Sequence, residues 1–314
     1  MSYAGGRRMD VKHFGLIRRP FPNVLDSGCW YPAPGHETTV ERLAEAVSDG
    51  EGLILLSGEP GTGKTLLCRR SLGRLSDFNQ VYLTNSHLAD VASLLQAVLY
   101  DLSLSYEGKR EQELRLALTD FLLEEFATGR RTLLVVDEAQ HLSFHLLEEV
   151  RLWGNLEAEG SRALQVILVA DPQIIEILAR PGATAISRRI STRLRLEPLT
   201  RQESEKYLAH QVKTAGGNLE RLFSGEAIDL VCRASKGVPR VLNQVADQSL
   251  RVAWGASAAG VDAEAAIEAI ETLGLKVPAG SSEPGIESLA ASDRAAASIL
   301  APKRVMRGSN RRPA

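Results

Sequence analysis

Gly52-Leu53-Ile54-Leu55-Leu56-Ser57 runs directly into Gly58-Glu59-Pro60-Gly61-Thr62-Gly63-Lys64-Thr65. The first six residues form a short, continuous apolar run, which reads as a strand buried on both faces of a parallel sheet. The next eight match Gly-x-x-x-x-Gly-Lys-Thr. A helix is predicted from Lys64 to about Leu75, so the motif sits between a strand and a helix, the context it requires. Glycines there let the backbone curl and turn its N–H groups toward phosphate oxygens. The helix N-terminus adds a dipole that favours an anion. Lys64 is expected on the β- and γ-phosphates. The Thr65 hydroxyl is expected on Mg²⁺, an ion that prefers oxygen ligands. The bland alternative is a Gly-rich turn with an accidental lysine; strand, loop and helix in register argue against it.

A second strand, Thr132 to Val136, ends in Asp137-Glu138. Open α/β sheets bind ligands at the carboxyl ends of their strands. Asp137 is therefore expected to hold Mg²⁺, mainly through water, as a Walker-B aspartate does. Glu138 is expected to orient the attacking water as general base, worth roughly 10² to 10⁴ in rate. Alone, a strand ending in two acids is as easily a solvated strand end. Paired with the upstream loop, it points to ATP hydrolysis.

Working outward, apolar strands alternate with amphipathic helices. Helices are expected over Glu37–Asp49, about Leu88–Leu102, Glu111–Thr128 and Phe144 to about Glu157. Further strands are expected near Gln80–Thr84 and Leu164–Ala170. This alternation implies a parallel sheet covered on both faces. After Leu196-Glu197-Pro198-Leu199 the strand signal stops. Helices are expected over Arg201–Ala215, Ser224–Ser235, Pro239–Trp254 and Asp262–Leu273. The predicted organisation is an N-terminal arm over 1–35, a nucleotide-binding α/β domain over 36–198 and a small all-helical lid over 199–275. A disordered basic tail is expected over 276–314. The arm carries Phe14, Phe21, Trp30 and Tyr31 among four prolines and is expected to pack on the domain that follows it.

The 314 residues are 44% apolar and 24% charged, with a formal net charge of −2. Nothing global calls for nucleic acid or an anionic membrane. Cys29, Cys68 and Cys232 are scattered and form neither a disulfide framework nor a zinc site. No apolar run is long enough for a transmembrane helix, and the first residues do not read as a secretory signal. A cytoplasmic location is expected.

Three further places invite a role. Asp171 follows the Leu164–Ala170 strand; it is either a sensor of the γ-phosphate or an Asx-type cap for the next helix. Ile186 to Arg195 is dense in arginine. Arg189 and Arg193 are candidates for a finger that reaches a neighbouring subunit's ATP; a solvated basic face or a DNA-backbone contact is the alternative. Gly237-Val238-Pro239-Arg240 opens a helix with proline in its first turn. Arg240 there reaches the γ-phosphate in cis or is simply a surface arginine.

Together these residues resemble the AAA+ superfamily, and within it the ExeA/GspA type of ATPase associated with general secretion. The resemblance runs from about His13 to Leu273. It rests on Phe14-Gly15-Leu16 with Pro20-Phe21, the Gly58–Thr65 loop, and Val136-Asp137-Glu138-Ala139-Gln140 with His141-Leu142-Ser143. Arg189-Ile190, Leu196-x-Pro198-Leu199 and Gly237-Val238-Pro239-Arg240 complete it. It implies a nucleotide domain with a helical lid, ATP hydrolysis, assembly into homo-oligomers, and sensor-like roles for Asp171, Arg189 and Arg240. Two departures are visible. Ala170-Asp171-Pro172 stands where such proteins usually have Gly-Gln-Pro. A basic tail stands where secretion members continue into a membrane helix and a peptidoglycan-binding part. The core also resembles transposition regulators of the TniB/MuB kind, for which duplex DNA would be a partner.

Three readings follow. The first is an ATPase that assembles or remodels an unnamed protein partner. The second is a DNA-dependent ATPase. The third is a nucleotide-gated scaffold without turnover, against which Glu138 argues.

Overall fold

The computed structural model describes residues 9–22, 30–75, 77–84, 86–158 and 160–276. The expected basic tail over 276–314, save Lys276, lies outside them. Residues up to Lys276 cluster as one compact unit, and the expected division at 198/199 falls inside it.

Helix α1 (Pro34–Ser48) leads into strand β1 (Leu53–Gly58), and α2 (Lys64–Leu72) follows the glycine loop. Then come β2 (Phe78–Leu83), α3 (Val91–Asp101), α4 (Glu111–Ala127) and β3 (Arg131–Val136). Next are α5 (Phe144–Trp153), a small hairpin of β4 (Glu157–Ala158) and β5 (Ser161–Arg162), and β6 (Leu164–Ala170). Helices α6 (Gln173–Ala179) and α7 (Thr184–Arg189) precede β7 (Thr192–Leu196).

The main sheet has the order β2-β3-β6-β1-β7, and every pairing is parallel. Alternate strand residues face opposite layers. Leu55, Leu134, Val136, Val166 and Leu168 join a core with α3, α4, α5 and α6. Ile54, Leu56, Leu133, Val135, Ile167, Val169 and Leu194 join a second core with α1 and α2. This double covering explains why the strands read as continuous apolar runs.

The element boundaries differ from expectation where local chemistry decides them. Helix α1 starts earlier than expected because Pro34 occupies its first turn, where a missing N–H costs nothing. Helix α3 starts later, where the Asp90 side chain accepts the Ser93 N–H. Helix α5 stops at Trp153 because Gly154 follows and the chain turns into the hairpin.

Beyond Leu199 the chain is helical: α8 (Arg201–Thr214), α9 (Leu219–Leu222), α10 (Gly225–Ser235), α11 (Pro239–Gly255) and α12 (Ala263–Thr272). Thr200 and Glu203 form a reciprocal capping box on α8.

The described part of the arm departs from expectation. Residues 9–22 lie on the helical unit and not on the α/β layers. The Ile17 N–H donates to the Ala215 carbonyl at 2.9 Å. The Phe21 ring meets Phe223 edge-on at 6.2 Å. Leu16 is buried, and a side chain at Gly217 would collide with it. Trp30 instead joins the α/β layers, donating to Glu37 and receiving the Arg70 guanidinium on its ring face.

Candidate nucleotide site

The Gly58–Thr65 loop joins the C-terminal end of β1, an inner strand between β6 and β7, to the start of α2. Gly61 and Gly63 have φ of +85° and +101°, a region that side chains disfavour. Two close approaches also demand glycine. A Cβ on Gly58 would stand 2.6 Å from the Leu196 carbonyl, and one on Gly61 would stand 2.8 Å from the Arg240 Cβ. Thr62 is buried, and its hydroxyl donates to the Glu59 carbonyl at 2.8 Å. Glu59 and Pro60 form the exposed crest.

Lys64 is buried at 6% exposure. Its ammonium donates to the Gly58 carbonyl at 2.8 Å, the Glu59 carbonyl at 3.2 Å and the Asp171 carboxylate at 2.7 Å. Those three bonds use all its donors. The Thr65 hydroxyl donates to Asp137 at 2.7 Å. The other Asp137 oxygen accepts the Glu138 N–H at 3.0 Å. Strands β1, β3 and β6 are adjacent and end together, which is why residues 64, 137 and 171 converge.

Glu138 is left-handed, with φ +53° and ψ +40°. For a residue with a Cβ this costs roughly 1–2 kcal/mol. Such outliers concentrate where function needs them. The Glu138 carboxylate accepts the Gln140 amide at 2.6 Å, and the Gln140 carbonyl oxygen accepts the Asp171 N–H at 3.0 Å. Behind this group, Ser86 donates to the Asp137 carbonyl, and His87 stacks on His141 with centroids 4.3 Å apart.

Arg240 stands against the loop, where its N–H donates to the Gly61 carbonyl at 3.2 Å. Arg189 is at the opposite end of the sheet. It lines a small cleft with Gly52, Arg151, Asn155 and Arg162, near the start of β1. It is exposed and has no ion-pair partner among the described residues. Arg193 is in the middle of edge strand β7, opposite Leu55. Its guanidinium donates to the Ser187 carbonyl and hydroxyl at 2.9 and 3.0 Å. The structure thus gathers Lys64, Thr65, Asp137, Glu138, Asp171 and Arg240, and leaves Arg189 and Arg193 apart.

In the sequence Gln140 is visible only as part of the Val136–Gln140 block. Its signal, a buried amide two residues after a candidate base, acquires meaning only beside Asp171.

The residues present fit a triphosphate and its magnesium. The loop is a glycine concavity at a helix N-terminus with a lysine inside it, and the groups beside it are a hydroxyl and a carboxylate, both oxygen donors that suit magnesium.

A parallel sheet in this strand order, with a glycine loop after the inner strand β1 and acids at the ends of β3 and β6, is the P-loop fold of the AAA+ class. Residues 47–178 match the family model described as AAA domain, in keeping with the AAA+ fold of the sheet and its loop. The chain is similar to general secretion pathway protein A of Aeromonas hydrophila, 32% identical over 271 residues. That match takes in 85% of this chain and 49% of the relative, so the chain spans about half the length of the curated protein it matches. Similar solved structures include a Drosophila ORC bound to DNA, with TM-score 0.65, 18% identity and coverage of 87% of this chain and 71% of that one. Cdc6p from Pyrobaculum aerophilum gives 0.63, 17%, 82% and 73%. The ORC2 protein of Aeropyrum pernix in ADPNP–ADP complexes gives 0.60, 15%, 82% and 72%. At these identities the likeness speaks for the fold alone. No helix among the described residues is long and apolar enough to cross a membrane.

Proposed function

We propose that the chain binds Mg·ATP in the Gly58–Thr65 loop and hydrolyses it, using the energy to assemble or remodel a partner complex as a GspA-like ATPase. The convergence of Lys64, Thr65, Asp137, Glu138 and Asp171 at one end of the sheet carries this reading. Lys64 binds the β- and γ-phosphate oxygens after leaving Asp171. Thr65 and Asp137 are the residues that would hold magnesium. When bound, that ion supplies positive charge against the phosphates and orients them. Glu138 accepts the proton of the attacking water. Asp171 and Arg240 lie where they respond to the terminal phosphate. Arg240 does so from the first turn of α11, which links nucleotide state to the helical unit.

Arg189 is remote from its own loop. It serves as a finger only if it is presented to the loop of a second copy, which makes turnover a property of the homo-oligomer. Measuring phosphate release from ATP over a wide range of protein concentration tests this. Specific activity should rise as copies associate. Constant specific activity at all concentrations would contradict catalysis between subunits.

A further inference from the structure

We infer that Gln140 is a positioning residue for the hydrolytic base, tying Glu138 to the end of β6; the inference rests on the reading of Glu138 given above. The side chain is 8% exposed, and its two ends bond in opposite directions; the amide nitrogen also lies 3.5 Å from the His141 Nε2. Its amide nitrogen donates to the Glu138 carboxylate at 2.6 Å, and its oxygen accepts the Asp171 N–H at 3.0 Å. The orientation of the amide is not arbitrary. An ionised carboxylate only accepts and a backbone N–H only donates, so the two partners force the nitrogen toward Glu138 and the oxygen toward Asp171.

The bridge has a consequence for coupling. The residue whose N–H holds Gln140 is the one whose carboxylate holds Lys64 at 2.7 Å. Glu138, Gln140, Asp171 and Lys64 therefore form one continuous chain of hydrogen bonds. A phosphate that draws Lys64 from Asp171 acts on the end of β6, and through Gln140 on the carboxylate that must receive a proton. Glu138 has a left-handed backbone, with φ +53°, and the Gln140 amide two residues on holds one of its carboxylate oxygens.

A structural role and a positioning role separate in a double-mutant cycle. Gln140→Met keeps the volume and removes the hydrogen bonds to Glu138 and Asp171 together with the longer contact to His141, and Gln140→Ala checks the result with a shorter side chain. ATP turnover and equilibrium binding of ATP are measured for each, in the wild-type and Glu138→Gln backgrounds. The expected result is a 10- to 100-fold loss of kcat in Gln140→Met, with KM and the ATP Kd within about twofold of wild type. In the Glu138→Gln background the same substitution should change the residual single-turnover rate less than about twofold, since the group it positions is already disabled. Wild-type kcat in Gln140→Met would overturn the inference. So would an equal fractional loss in both backgrounds, or a loss confined to KM. Wild-type turnover in Glu138→Gln alone would instead remove the base assignment, and the bridge with it.

Discussion

The Lys64 ammonium and the Asp171 carboxylate meet at 2.7 Å, with Lys64 buried and Asp171 only 17% exposed. Binding energy must therefore be spent on separating a partly buried ion pair before Lys64 serves a phosphate. Asp171 is also a negative charge beside an incoming anion. Asp171→Asn removes both obstacles while keeping the size. It should tighten ATP and ADP binding about tenfold, equivalent to about 1.4 kcal/mol, by titration calorimetry. Weaker binding in this variant would mean that the carboxylate supports the nucleotide.

The arginines of the 188–195 stretch differ in employment. Arg193 is committed to Ser187 across 2.9 Å, whereas Arg189 is exposed at the far end of the sheet. Arg189→Ala should lower turnover by roughly 10³-fold without changing nucleotide affinity. Mixing it with Glu138→Gln protein should restore part of the activity, because each supplies what the other lacks. Arg193→Ala should lose thermal stability and keep turnover within about threefold. The reverse pattern would move the finger to Arg193.

Gly237 couples the α/β layers to the helical unit. Its φ is +76°, the Leu199 N–H donates to its carbonyl at 2.9 Å, and a Cβ would lie 1.9 Å from the Leu199 carbonyl oxygen. Backbone cannot yield as a flexible side chain does. Gly237→Ala should cost roughly 3 kcal/mol or more in a urea titration. A cost under about 0.5 kcal/mol would show that this junction is free to shift.

His36 introduces a pH dependence. Burial lowers its pKa, partly offset by the Glu197 backbone bond and the nearby carboxylates of Glu203 and Glu37, and its Nε2 has no hydrogen-bond partner. The unfolded chain takes up the proton near the ordinary value of about 6.5, before the folded chain does. Stability is therefore full above that pH and is lost as pH falls toward the folded value. Unfolding midpoints from pH 7.5 to 5.5 should decline, and His36→Gln should flatten the decline. His210, also lowered by burial and by Lys213, accounts for part of the slope that remains. Equal slopes in both proteins would exclude His36 as a source.

The glycine loop and the Asp137-Glu138 pair were legible because their chemistry prescribes residue types at fixed local spacing. Strand β7 was not read, although Thr192 to Leu196 alternates with Leu194 and Leu196 buried and Arg193 and Arg195 exposed. An edge strand needs a side chain on only one covered face, and two arginines dominate its composition. The Asp171 side chain makes no cap on α6, whose N-cap position is Pro172; its carboxylate goes to Lys64. Setting the cap aside required a partner 107 positions away. The arm on the helical unit is of the same kind. Ile17 and Ala215 pair across the whole nucleotide domain in sequence, and no local pattern announces it.

Glu138 is the residue on which the proposed ATP hydrolysis at the Gly58–Thr65 loop depends. Steady-state phosphate release, measured beside equilibrium ATP binding for wild-type and Glu138→Gln protein, tests it most directly. The expected result is magnesium-dependent turnover in the wild type, a loss of at least about 10²-fold in Glu138→Gln, and the same ATP affinity in both. Equal turnover in the two proteins, or ATP bound by the wild type without any release of phosphate, would contradict it.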